Sequence, residues 1–332
     1  MDKPGPPEVL EVRRVPRPEV RPGWTLVQVK AFGLNRSELM TRQGHSPGVH
    51  FPRVLGIECV GVIADPSDSG LPEGATVAAV MGEMGRAFDG GYAEYALLPN
   101  ELLMPLTTTL DWARLAAIPE TYLTAHGSLA ALGNPTGGTL LIRGGTSSVG
   151  MATLSLARAA GLTTIATTRN PDKAALLTER GADHVVVDPG SPDGLADKVR
   201  AIVPDGPDVI LELVGANLIL DSLNLVAPGG TVCLSGLLGG VWVLPEFEPL
   251  AVMPSGRKLT VFQSEDLRGA AGACALQTIV DGVAAGTFHA NLDTVFPMDA
   301  IVEAHRYMEG NRAAGKVVVL VDDEAALSSP DE

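Results

Sequence analysis

Cysteine is scarce in this chain: Cys59, Cys233 and Cys274 stand far apart among 332 residues. No CxxC pair and no Cys/His run is present, so the sequence carries neither a disulfide framework nor a clustered-cysteine metal motif. The expectation for all three is a small buried hydrophobe. Lys/Arg clusters are also missing, and the formal net charge is −15, which argues against nucleic acid as a partner. No secretory apolar segment opens the chain, and no apolar stretch is long and Gly-free enough to span a bilayer. These absences predict a cytoplasmic protein with reduced thiols and no membrane partner. A small anionic ligand stays admissible, because local N–H groups outweigh a global charge. No internal repeat and no low-complexity segment is found.

What is present divides into two patterns. The length exceeds that of one typical domain and suits two, and 38 Gly and 25 Pro predict frequent tight turns. Over the first hundred residues short strands are predicted: Trp24 to Ala31 alternates at period two, followed by Val-rich runs at Leu55 to Ala64, Thr76 to Val80 and Tyr92 to Leu98. After Leu110 strands and helices alternate, with strands at Thr139–Arg143, Thr163–Thr167, Val185–Val187, Val209–Leu211 and Thr231–Leu234. This is the pattern of an α/β, doubly wound parallel sheet. From about Lys258 the pattern becomes a strand, helices near Gly269–Gly286 and Met298–Glu309, and a last strand at Lys316 to Val321. The tail after Asp322 is polar and expected to fray.

One segment of the second pattern carries chemistry. The strand Thr139–Arg143 runs into Gly144-Gly145-Thr146-Ser147-Ser148-Val149-Gly150, and a helix over Met151 to Ala160 follows, closed by Gly161 at C′. Strand, glycine turn and helix in this order make an anion site, because the helix start offers free N–H groups and partial positive charge to a pyrophosphate. Gly145-x-Ser147-x-x-Gly150 has the G-x-G-x-x-G spacing with Ser in the middle place, in the strand–turn–helix context that the motif requires. The next strand ends Thr167-Thr168-Arg169-Asn170, with Lys173 just beyond. NAD sites place a carboxylate there for the ribose hydroxyls. Here a hydroxyl (Thr168) and two cations (Arg169, Lys173) stand instead, a set suited to a 2′-phosphate. The predicted cofactor is NADPH.

The blocks around this segment resemble a known family. Gly33-Leu34-Asn35-Arg36-Ser37-Glu38 with Arg42-Gln43-Gly44, then Pro52 to Val62 with Gly56, Glu58 and Gly61, Gly90 to Tyr95, Thr124-Ala125, Gly181-Ala182-Asp183, Ala227 to Gly230 and Gly315 to Val318 occur in family order. Together they are similar to the zinc-independent medium-chain dehydrogenase/reductase superfamily, quinone oxidoreductase (zeta-crystallin-like) branch. The resemblance implies a GroES-like β-barrel over residues 1–115, an inserted Rossmann domain over 116–255 and a return to the first domain over 256–332. It implies substrate bound in the cleft between domains, a homodimer, and contacts of Thr124, Gly236, Leu237 and Lys316 with the cofactor. Relatives also carry a short strand before the Gly-Pro block that begins here at Gly5, so a missing edge strand or a late start is expected.

Two departures bear on mechanism. Zinc-dependent relatives carry His where Ile57 stands, and Cys where Asn35 stands; neither residue here is a good zinc ligand. Without a Lewis acid, the easier reaction is hydride addition to an acceptor that delocalises charge itself, a quinone or an α,β-unsaturated carbonyl, with a proton available from solvent. The resemblance suggests Asn35 at the nicotinamide ribose or substrate oxygen, Glu38 orienting its loop, and Arg42 as a third candidate. His45 is either a proton donor or a surface residue, and Tyr122 either lines the cleft or belongs to the core. Glu58 is read as a structural remnant of the metal motif. Alternatives are an enoyl-thioester reductase and a non-catalytic NADPH-binding protein.

Overall fold

A computed structural model describes residues 1–188, 194–267 and 269–321; the polar tail from Asp322 lies outside the described residues. The strands in chain order are β1 (Trp24–Gly33), β2 (Glu58–Asp65), β3 (Thr76–Val80), β4 (Tyr95–Pro99) and β5 (Met104–Pro105). There follow β6 (Thr139–Arg143), β7 (Thr163–Thr168), β8 (His184–Val187), β9 (Val209–Glu212), β10 (Thr231–Leu234) and β11 (Lys258–Val261). The last two are β12 (Leu292–Pro297) and β13 (Lys316–Leu320). The chain forms two units, Met1–Leu123 with the return from Ser264 onward, and Thr124–Gln263.

The first unit is built on a mostly antiparallel sheet of order β12-β13-β1-β2-β3-β5, with β4 also paired to β1. Strand β1 is its organising element because three strands bond to it. Register shifts between β1 and β2 bend the pair, as bulges do. The bend brings the backbones together at Gly61, where a Cβ would overlap the Gln28 carbonyl. Val27, Val29, Phe32, Cys59, Ile63, Val77, Leu98, Val317 and Val319 share one core with Leu39, Ala304 and Met308 from two helices.

In the second unit all strands run parallel, in the order β11-β10-β9-β6-β7-β8. Successive residues point to opposite faces. Leu140, Ile142, Ala166, Leu211 and Cys233 therefore fill one core, and Leu141, Ile165, Ile210 and Val232 fill the other. Both faces are covered, which is why these strands read as continuous apolar runs. Strand order reverses between β6 and β9, and the carboxyl ends flanking such a reversal are where open α/β sheets bind ligands.

Three expectations need correction. The run at Lys258 is not part of the return: as β11 it pairs in parallel with β10, Thr231 opposite Lys258, so it completes the second unit's sheet. The first passage between units falls after Leu123, inside the continuous helix Pro119–Ala131, because local helix propensity does not mark a change of core. Cys274 is exposed while Cys59 and Cys233 are buried, since it lies on the outward face of the helix Gly269–Ala284. No helix among the described residues is long and apolar enough to cross a membrane.

Candidate functional site

In the second unit, the turn after β6 is shaped by contacts too close for side chains. A Cβ on Gly145 would stand 2.9 Å from the Ala166 Cβ, and one on Gly150 would stand 2.7 Å from the carbonyl oxygens of Gly144 and Gly145. Gly144 itself has φ +86°, a conformation open mainly to glycine. The Gly145 N–H bonds the Thr167 carbonyl at 2.9 Å and the Gly144 N–H bonds Thr167 Oγ1 at 3.1 Å, so β7 clamps the turn. Ser147 is the N-cap of the helix Ser148–Ala159: its Oγ accepts from the Gly150 N–H at 3.1 Å and donates to the Gly144 carbonyl at 2.8 Å. Its hydroxyl is spent on the turn rather than turned outward to a phosphate. The N–H groups of Ser148 and Val149 have no acceptor within the helix. With Thr146 they form a half-exposed rim that fits a pyrophosphate.

The loops after β9 and β10 close on the same turn. The Leu238 N–H bonds the Leu213 carbonyl at 3.0 Å, and Gly236 lies so near that a Cβ would stand 2.8 Å from the Leu213 Cα. Thus Gly236 and Leu237 are brought to the strand-order reversal beside Gly144. Beyond β7, Thr168 is buried and its Oγ1 is tied to Asn170, while Arg169 is exposed and Lys173 half-exposed at the end of a short turn capped by Asn170. Thr124 is buried in the helix Pro119–Ala131, its carbonyl accepting from Ser128 Oγ.

Beneath this rim is a polar group that the sequence reading missed. Arg143, the last residue of β6, donates to Asp221 Oδ2 at 2.6 Å and Ser222 Oγ at 3.0 Å and pairs with Glu212 and Asp188. Glu212 accepts from the Val214 N–H at 2.7 Å and Ser222 Oγ at 2.8 Å. Burial raises its carboxyl above the usual range, opposed by Arg143 and these donors. The signal was a charge at the end of each of two apolar strands, Leu-Ile-Arg and Ile-Leu-Glu.

In the first unit, Asn35 and Glu38 form a capping box at the start of the helix Arg36–Arg42. Glu38 Oε2 accepts from the Asn35 N–H at 3.0 Å and Oε1 from the Ile57 N–H at 3.0 Å. The Asn35 amide bridges an ion pair: Nδ2 donates to Glu58 Oε1 at 2.9 Å, and Oδ1 accepts from Lys316 Nζ at 2.6 Å. Lys316 Nζ lies 2.5 Å from Glu58 Oε1, with both side chains 1% exposed. The pair passes over Gly33, where a Cβ would overlap both Lys316 Cε and Glu58 Oε1. Glu58 Oε2 accepts from the Glu120 N–H at 3.1 Å, and Glu120 Oε1 accepts from Ser264 Oγ at 2.6 Å. Burial pushes the Glu38 carboxyl up to about 7 and the Glu120 carboxyl up to about 8; Glu58 adds to both and Lys316 opposes both.

This donor set does not fit a zinc ion. Ile57 offers no ligand atom, and the ammonium of Lys316 already sits on the amide and carboxylate oxygens a metal would need. Among the described residues no three His, Cys, Asp or Glu side chains are grouped to hold a metal.

The other expected residues lie elsewhere. Arg42 is fully buried and donates to both Glu309 oxygens at 3.0 Å; it fastens the helix Arg36–Arg42 to the helix Ile301–Glu309 and cannot meet a substrate. Lys316, expected at the cofactor, is buried in the ion pair of the first unit. His45 is exposed. Tyr122 is a core residue with its hydroxyl on the His289 carbonyl at 2.5 Å.

Comparison with known proteins agrees with the fold. Residues 21–108 match the alcohol dehydrogenase GroES-like domain and residues 180–319 the zinc-binding dehydrogenase domain. The quinone oxidoreductase of Lama guanicoe is 29% identical over 326 residues, 96% of this chain and 95% of that protein. A solved NAD-dependent alcohol dehydrogenase is 28% identical with TM-score 0.81, covering 97% of this chain and 98% of that one. Mycobacterial Rv1454c, solved in complex with NADPH, shares the fold with TM-score 0.86 at 24% identity, over 96% of this chain and 98% of that one.

Proposed function

Because the chain belongs to the medium-chain dehydrogenase/reductase superfamily and is a nicotinamide-dependent oxidoreductase, we propose that it uses NADPH to reduce a quinone or an α,β-unsaturated carbonyl without a metal. The observation that carries this reading is the Lys316 ammonium bound between Asn35 and Glu58, where a metal-dependent enzyme needs open ligand atoms. A site lacking a Lewis acid favours acceptors whose own π system takes up charge.

The residues that would hold the cofactor are those of the turn Gly145 to Gly150, with Ser148 and Val149 donating backbone N–H groups to its pyrophosphate. Thr124, Gly236 and Leu237 would face the nicotinamide. Arg169 and Lys173 would take the 2′-phosphate, with no carboxylate at the end of β7 to repel it. When bound, the cofactor supplies the hydride. Asn35, braced by Lys316 and Glu58, would orient the acceptor or the ribose, and Glu38 keeps its loop in place through the Asn35 and Ile57 N–H groups. Arg42 drops out of the catalytic set.

The likeness to quinone oxidoreductases supports the quinone arm. An enoyl thioester, whose conjugated carbonyl takes up charge as that of an enone does, is a second acceptor to test. A homodimer is inferred too, with the edge strand β11 and the exposed Trp242, Val243 and Val261 as surface a second copy would cover. The test is NADPH and NADH oxidation against 1,4-benzoquinone, an enone and an enoyl thioester. Turnover with NADPH on any of them upholds the reading and names the acceptor class; turnover with simple ketones or alcohols alone overturns it.

A further inference from the structure

Arg143 ends β6 in the second unit, 2% exposed, with three carboxylates around it: Glu212, Asp221 and Asp188. Glu212 also holds the N–H groups of Val214 and Gly215, and Asp221 takes the shortest of the Arg143 bonds, at 2.6 Å. Asp188 is set apart by its place. It follows Val187, the register partner of Thr168, and its N–H bonds the Thr168 carbonyl at 2.9 Å. A carboxylate thus stands one strand spacing, about 5 Å, from the end of β7. That end is where a dinucleotide site presents its ribose-reading groups, here Arg169 and Lys173. Turned outward, Asp188 would accept from ribose hydroxyls and repel a 2′-phosphate. It is turned inward instead: Asp188 is 6% exposed, and its Oδ2 lies 3.4 Å from Arg143 Nη2. Because β7 lies between β6 and β8, this pair spans the end of β7.

We propose that Arg143 is a specificity-determining positioning residue of the cofactor site: it draws the Asp188 carboxylate inward and offsets its charge, which admits a 2′-phosphate at the end of β7. The inference rests on the NADPH reading above. A carboxylate is costly to bury without a partner, so without Arg143 the Asp188 side chain turns to water, on the side of the ribose. Asp172, the acid beside Lys173, is exposed, where solvent and salt screen it. Arg143 touches no cofactor and acts through Asp188. A purely structural brace would affect cofactors with and without the 2′-phosphate alike.

The test is equilibrium binding of 2′,5′-ADP and 5′-AMP, which differ only in the 2′-phosphate, to the full chain. The wild type is expected to prefer 2′,5′-ADP. Arg143→Gln should weaken 2′,5′-ADP about tenfold and leave 5′-AMP within about twofold. Combining Arg143→Gln with Asp188→Asn removes both charges and should restore the wild-type preference. Asp188→Asn alone, which keeps Arg143 on Glu212 and Asp221, should tighten 2′,5′-ADP about threefold; it carries the test if Arg143→Gln does not fold, as read by circular dichroism. Equal weakening of both probes by folded Arg143→Gln, no recovery in the double variant, or no tightening in Asp188→Asn overturns the proposal. A wild type that does not prefer 2′,5′-ADP overturns the NADPH reading and this inference with it, whereas a wild-type preference that the variants leave unmoved overturns this inference alone.

Discussion

Lys316 and Glu58 form the buried ion pair around which the polar network of the first unit is arranged. Replacing Lys316 by Met leaves a buried carboxylate without its cation, and such changes cost about 3–5 kcal/mol. Lys316→Met should therefore lower the urea midpoint sharply, whereas Lys316→Arg should retain part of the stability; equal midpoints for wild type and Lys316→Met would refute the ion pair. Arg169, proposed to take the 2′-phosphate, is tested at the same scale in the other unit. A charge-assisted bond to a phosphate is worth about 1.5–3 kcal/mol. Arg169→Ala is accordingly expected to raise KM for NADPH by roughly tenfold or more and leave KM for NADH in place. Steady-state kinetics with both cofactors reads this directly, and a parallel loss for both would remove Arg169 from the 2′-phosphate site.

At the scale of elements, the turn between β6 and its helix is held by local bonds, chiefly the Ser147 cap. Ser147→Ala should cost about 1 kcal/mol and weaken cofactor binding together with thermal stability; calorimetry on the variant checks both. Local bonds also explain what was legible in the sequence. Strand β6, the glycine turn and the Gly161 stop depend on residues a few places apart, and their spacing announces them. Asn35 and Lys316 are 281 positions apart, and Glu120 meets Ser264 across 144, so no window of sequence holds the network. Glu120 was also hidden by an ordinary role, since an acid in the first turn of a helix suits the dipole without any partner. Strand β11 was assigned to the wrong unit because its residues are only partly buried and lack the apolar run of its neighbours. Arg42 misled for the opposite reason: a motif position says nothing about whether a side chain faces in or out.

For the whole molecule, buried titratable groups set opposing slopes of stability with pH. Glu38 and Glu120 are raised from 4.5 to about 7 and about 8. The folded state thus keeps protons that the unfolded chain has released, and stability falls as pH rises from about 4.5 through those values. His305 is the reverse case. Buried beside Tyr92 and near Arg42, its pKa is lowered from 6.5 to about 3. The unfolded chain takes up a proton first, so stability falls as pH drops from 6.5 toward 3. The two ranges overlap from 4.5 to 6.5, where two carboxyls outweigh one imidazole, so these groups place the maximum in melting temperature near the acid end of the overlap, at about pH 4.5. Glu120→Gln should flatten the alkaline side and His305→Gln the acid side, each by roughly 5 °C at the extremes. A melting curve indifferent to either substitution would contradict the assigned protonation states.

The central claim is that hydride transfer here proceeds with a lysine ammonium where other enzymes place a metal. The most direct measurement is NADPH oxidation with 1,4-benzoquinone by protein treated with a strong chelator, its zinc content measured, before and after zinc is added back. The account predicts turnover by the zinc-free protein, unchanged by added zinc. Activity lost with the metal and restored by zinc would contradict it.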